Sequence, residues 1–197
     1  TQKGEGTGHP FVDVSASDWY EPAVDYVYNK QLFSGVSTDS FAPELTMNRA
    51  MVVTVFYRLA GSPEQEMSQA QASFQDVKEG SWYYDFVRWG YVHGVTAGVG
   101  DNLFAPEQSV TRQQILVMLH SFANSYLKLT LTGAADLQAY QDGAEVADWA
   151  KEAVAWAAAN GLISGLEYGT LRPNDAATRA EVADILMRFE QRIQTGQ

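Results

Sequence analysis

Cysteine is absent from the 197 residues, which excludes disulfides, thiolate metal sites and cysteine nucleophiles together. Basic residues are scarce as well: 13 Lys and Arg stand against 24 Asp and Glu, giving a formal charge of −11. A surface of that sign repels a phosphate backbone, so nucleic acid is not an expected partner, and an acidic ligand would have to be caught by a few local cations. No apolar run reaches the roughly 18 residues that a membrane-spanning helix needs, so no membrane insertion is expected. The opening stretch, Thr1 to Gly6, also lacks the basic-then-apolar pattern of a signal peptide. The chain does have apolar material, 46% hydrophobic and 12% aromatic, enough to bury a sizeable core.

A ligand set for a metal is missing too. His9 sits in the N-terminal tail, and His93 and His120 fall in helical segments without matching partners, so neither a metal nor a cofactor is expected. The carboxylates converge on no motif, and the repeats described next consume the chain, so no catalytic residues are assigned and no enzyme is expected.

The chain is dominated by internal repetition. Trp19, Trp82 and Trp149 each open a matching segment, followed at constant offsets by a glycine (Gly35, Gly98, Gly165), a large apolar residue (Phe41, Phe104, Leu171), a proline (Pro43, Pro106, Pro173) and an arginine (Arg49, Arg112, Arg179). Upstream, an aromatic and an acid recur as Phe11-Val12-Asp13, Phe74-Gln75-Asp76 and Tyr140-Gln141-Asp142. The boundaries read as a polar linker over 1–10, repeats over 11–61, 74–126 and 140–192, and connectors over 62–73 and 127–139.

Within each copy, helical periodicity follows the tryptophan, as in Ala23, Tyr26 and Val27. That first helix is expected to stop at a turn where Gly94 and Gly161 occupy the place of Gln31. A second helix starts just before the repeated arginine: Thr111 with Gln114 and Thr178 with Glu181 read as capping boxes, and Asn48 as a cap with Met51 at the partner position. The second helices are apolar enough to be largely buried, each covered by the first helix of its own or a neighbouring repeat. The expected fold is all-α: three helix-loop-helix repeats in a pseudo-threefold spindle around a central three-helix bundle. Leu127, Leu129 and Leu131 alternate with polar residues, the pattern of a short extended segment.

Aromatic-x-Asp, Trp, a glycine-bearing loop, Phe-x-Pro and a Thr-Arg-Ala-Glu-like helix start together resemble the surface-layer homology (SLH) repeat, over about residues 11 to 190. The resemblance implies a three-pronged helical spindle that binds secondary cell-wall polysaccharide, through a pyruvylated amino sugar, in grooves between prongs. It further implies an extracellular location at the cell wall or S-layer. Because the repeats run almost to Gln197, the chain is expected to be the C-terminal part of a larger surface protein. The Thr-Arg-Ala-Glu segment is intact only at Thr178 to Glu181; the other copies read Thr-Arg-Gln-Gln and Asn-Arg-Ala-Met. On that ground Arg179→Ala is expected to weaken binding more than Arg49→Ala.

The implied glycan-binding residues are Asp13, Trp19, Arg49, Asp76, Trp82, Arg112, Asp142, Trp149 and Arg179. Each arginine falls at the first helical position, where the dipole disfavours a cation but free N–H groups would make an anion site. A guanidinium there can fork onto a ligand carboxylate, or pair with a neighbouring acid. Each tryptophan can staple its helix to the core or present a face to a sugar ring, whereas Trp89 and Trp156 read as core. The three aspartates can accept sugar hydroxyls or form turns. Gly35, Gly98 and Gly165 read as backbone positions forbidden to other residues, near the ligand. A protein-docking or self-assembly platform of a surface layer is the alternative function.

Overall fold

The computed structural model describes residues 8–70, 72–163 and 169–195. Among these, seven α-helices and no strand are present, and only isolated β-bridges occur. The chain divides into two compact units, one of residues 1–46 with 178–197 and one of residues 47–177.

The first unit joins the first helix of repeat 1 to the second helix of repeat 3. Helix α1 (Glu21–Asn29) turns Ala23, Val24 and Val27 inward, with Pro22 tolerated in the first turn where its missing N–H has no role. It packs on α7 (Arg179–Gln194), whose buried face includes Val182, Ile185, Leu186 and Phe189. The capping box at its start is formed, with Thr178 and Glu181 exchanging hydrogen bonds. Helix α1 ends as expected: Gln31 takes the left-handed position at φ 58°, and the N–H of Leu32 donates to the carbonyl of Val27 at 2.9 Å.

The second unit holds α2 (Arg49–Leu59), α3 (Glu64–Gln69), α4 (Tyr84–Val92), α5 (Arg112–Ser121) and α6 (Lys151–Ala159). Helix α2 packs against α4, and α5 against α6, so each second helix is covered by the first helix of the repeat that follows it. Gly94 and Gly161 end α4 and α6 at φ 70° and 68°, matching Gln31. Trp89 and Trp156 are buried, as core positions should be. A closed ring of three backbone hydrogen bonds joins equivalent positions of the three repeats: Met47 N–H to Ala177 at 3.0 Å, Ala177 N–H to Val110 at 2.8 Å, and Val110 N–H to Met47 at 2.9 Å. All three side chains are buried.

Several expectations change. The connector 62–73 contains α3, a short helix held on α4. The alternating leucines form no strand: α5 runs into a π-helical turn at Phe122–Tyr126, Lys128 has φ 56°, and no bridge involves this stretch. His9 is buried rather than in a loose tail, stacked on Phe11, whose N–H donates to His9 Nδ1. Gly35 and Gly98 do not adopt positive φ; they are required because a Cβ would meet Ser37 O at 2.3 Å or Leu103 O at 2.8 Å. Gly165 lies outside the described residues.

Candidate functional site

The repeated aspartates organise the Phe-x-Pro loops. Asp13 accepts the N–H groups of Phe41 and Ala42, both at 2.8 Å, and the Ser40 hydroxyl at 2.7 Å. Asp76 accepts from Phe104 at 2.9 Å and Ala105 at 2.7 Å, and Asp142 from Leu171 and Arg172, both at 2.7 Å. The second residue in each trio, Ala42, Ala105 or Arg172, sits at φ 55°, 56° or 47°, a left-handed state that costs a non-glycine residue about 1–2 kcal/mol. The carboxylate holds it there with two charge-assisted hydrogen bonds. At Asp13, burial pushes the carboxyl up, but the N–H of Phe41, the Ser40 hydroxyl and the N–H of Ala42 outweigh it and hold the group below its ordinary value.

The arginines bind the opposite side of the same peptides. Arg49, Arg112 and Arg179 are 7%, 6% and 6% exposed. Arg49 Nε donates to the Phe104 carbonyl at 2.7 Å, Arg112 Nε to Leu171 at 2.9 Å, and Arg179 Nε to Phe41 at 2.8 Å. A second guanidinium nitrogen, Nη2, reaches Ala97 O from Arg49 and Ser34 O from Arg179, each at 2.6 Å. The cations also lie over the rings they serve, with Cζ 4.6 Å from the Phe104 centroid and 4.5 Å from that of Phe41. Each arginine thus reaches into the loop of the next repeat, and the last reaches into the first. Burial lowers the Arg49 guanidinium from its ordinary value, against the opposing pull of the Asp76 charge.

The helix-start N–H groups, expected to be open for an anion, are engaged. Those of Arg49, Arg112 and Arg179 donate to the carbonyls of Gln108, Asp175 and Leu45 at 3.0, 2.9 and 2.9 Å. The next N–H of each helix donates to Pro106, Pro173 or Pro43 at 3.0, 3.1 and 3.0 Å, which gives the repeated proline a second use as an acceptor. The third is bonded by the cap side chain. An anion would therefore have to be met by side chains rather than by these amides.

The tryptophans, by contrast, are displayed. Trp19, Trp82 and Trp149 are 60%, 56% and 60% exposed, which disfavours the core-staple reading. In the unit of residues 47–177, Trp149 shares an open groove of about 980 Å³ with Arg49. One wall is the 94–99 loop including Gly98, and the other is the α5 face of Gln114, Val117 and Met118. Repeat 1 thus supplies the guanidinium, repeat 2 the walls, and repeat 3 the indole. Arg49 is the one charged side chain among the described lining residues, and no carboxylate is present. Asp76, Asp142, Trp82 and Arg112 do not line this groove; Asp13, Trp19, Gly35 and Arg179 belong to the other unit. Sequence reasoning marked Gln114 only as a cap and did not mark Met118. The available signal was helical phase: they fall on the same α5 face, one turn apart, in the helix that follows the glycine loop.

The S-layer homology domain matches the chain at residues 10–50, 73–116 and 139–183. Among curated relatives, the S-layer protein EA1 of Bacillus anthracis is 30% identical over 91% of this chain and 20% of its own length. Exoglucanase XynX of Acetivibrio thermocellus is 28% identical over 86% of this chain and 15% of its own. The cellulosome-anchoring protein of the same species is 25% identical over 77% of this chain and 34% of its own. The chain therefore spans only a minor part of each relative. The matched segments coincide with the three Trp-to-Arg repeats and their cyclic Asp–loop–Arg connections, and the chain belongs to the S-layer homology family.

Proposed function

We propose that this chain is a non-catalytic anchor that holds a larger surface protein to the bacterial cell wall. In this reading it binds secondary wall polysaccharide, at a pyruvylated amino sugar, in grooves such as that of Arg49 and Trp149. The observation that carries the reading is the shared groove: an indole for a sugar face and a guanidinium for a carboxylate, with no competing acid in the lining. In a chain of charge −11 such a groove is a local exception. The names of relatives that are S-layer and cellulosome-anchoring proteins agree with it. The ring through Met47, Val110 and Ala177 supports a threefold relation of the repeat junctions, and up to three grooves would add avidity.

The test is NMR of the 5 tryptophan indole N–H signals during titration with short fragments of wall polysaccharide. The signals of Trp19, Trp82 and Trp149 should move while those of Trp89 and Trp156 stay. No movement of any signal would reject glycan binding. Self-association of the chain in that case would favour a docking platform, for which Val12 and Leu45 supply exposed apolar side chains.

A further inference from the structure

We infer that Gln114 sets the charge preference of the Arg49 groove, an inference that rests on the glycan-binding role proposed above. Gln114 is the third residue of α5, and its part in the capping box fixes its amide. The backbone N–H of Thr111 donates to Gln114 Oε1 at 2.9 Å, so the oxygen faces the cap and the amino group, Nε2, is the end left for the groove that Gln114 lines. Nε2 has no protein acceptor among the described residues. Arg49 is in a comparable state: Nε and Nη2 are committed to Phe104 and Ala97, and Nη1 has no acceptor among the described residues. The groove therefore presents donors from two side chains, one of them cationic, with no carboxylate among its described lining residues. An anionic, acceptor-bearing substituent satisfies such a surface.

The third repeat shows what the alternative residue does in this slot. Glu181 also closes a capping box, its Oε2 accepting the N–H of Thr178 at 3.0 Å. A glutamate therefore keeps the cap, but its second oxygen is a charged acceptor where glutamine offers an amino group. Exchanging Gln114 for Glu reverses the groove edge from donor to anion without disturbing the helix start. The Arg49 groove is composite, with the arginine of repeat 1 working beside the capping residue of repeat 2. An intact Thr-Arg-Ala-Glu run consequently does not by itself mark the groove best suited to an acid.

The experiment follows the Trp149 indole N–H signal in the whole chain, assigned by Trp149→Phe, with a pyruvyl-ketal amino sugar and its ketal-free parent as probes. Gln114→Glu should leave the thermal midpoint unchanged and weaken binding of the ketal sugar about tenfold, with the ketal-free sugar changed by no more than about twofold. Gln114→Met, which removes the whole amide, the cap oxygen included, without adding charge and places there the residue that Met51 supplies in the first copy, should fall between, at roughly threefold. If Gln114→Glu binds the ketal sugar as the unaltered chain does, the inference is overturned while glycan binding stands. If the unaltered chain leaves the Trp149 signal unmoved by both sugars, glycan binding fails and this inference falls with it.

Discussion

Around the Phe-x-Pro loops the three repeats are built alike down to single hydrogen bonds, whereas the sites of Trp89 and Trp156 are built differently. At every loop an aspartate accepts the N–H of Ala42, Ala105 or Arg172, and an arginine from the preceding copy holds the carbonyl of the same peptide. At Trp89, the indole Nε1 donates to Glu66 of α3 at 3.2 Å, and the same carboxylate accepts from the Tyr126 hydroxyl at 3.1 Å and lies 3.4 Å from His93 Nε2. At Trp156 no counterpart of α3 stands among the described residues: His120 packs edge-on at 5.3 Å beside an open pocket of about 450 Å³ with Lys128 and Asn124 in its lining. A bent peptide held between two charges tolerates no substitute for either, so it repeats. An apolar helix pair needs only to be covered, which a helix or a loop can do, so the cover diverges.

The largest effect should come from breaking the repeated feature. Arg49→Ala removes two charge-assisted hydrogen bonds from a buried site and is expected to cost about 3 kcal/mol in urea unfolding. A cost under about 1 kcal/mol would show that the carbonyl contacts carry no load. Glu66→Ala, on the divergent side, strands the Trp89 and Tyr126 donors and should cost about 1–2 kcal/mol. Trp89 fluorescence should respond to that change and Trp156 fluorescence should not; equal responses would contradict independent covers.

Gln31 sharpens the comparison from another direction, because it performs with a side chain what Gly94 and Gly161 perform without one. Gln31→Gly should stabilise by up to about 1 kcal/mol, read as a higher thermal midpoint. A lower midpoint would show that the Gln31 side chain contributes more than its backbone strain costs. The smallest expected effect is in acid. The Asp13 pKa is depressed by its N–H donors from an ordinary 3.8, so its contribution is present above that pH and is lost as pH falls through the lower folded value. Asp13→Asn should therefore flatten the acid limb of stability below about pH 4 and leave its slope near neutrality unchanged. An unaltered acid limb would remove Asp13 from the account.

Much of this was legible in the sequence because it is local. Caps at Asn48, Thr111 and Thr178, the helix stop at Gln31, and the buried Trp89 and Trp156 each follow from a few neighbouring residues. The arginine contacts were not legible, since their partners are backbone carbonyls, which every residue carries, and Arg179 and Phe41 are separated by 138 residues. Helix α3 escaped notice because six mostly polar residues after Pro63 show no apolar stripe. The groove was half legible: Arg49 and Trp149 stood out as repeated residues, but their meeting depends on three repeats contributing to one surface.

That composite groove is tested most directly by calorimetric titration of the chain with wall polysaccharide from its own source, before and after mild acid removal of the pyruvyl ketals. Binding that is present with the native polymer, is lost on depyruvylation and is weakened by Trp149→Ala is the predicted result. Binding that survives both depyruvylation and Trp149→Ala, or no binding to either polymer, would contradict an acid-recognising anchor.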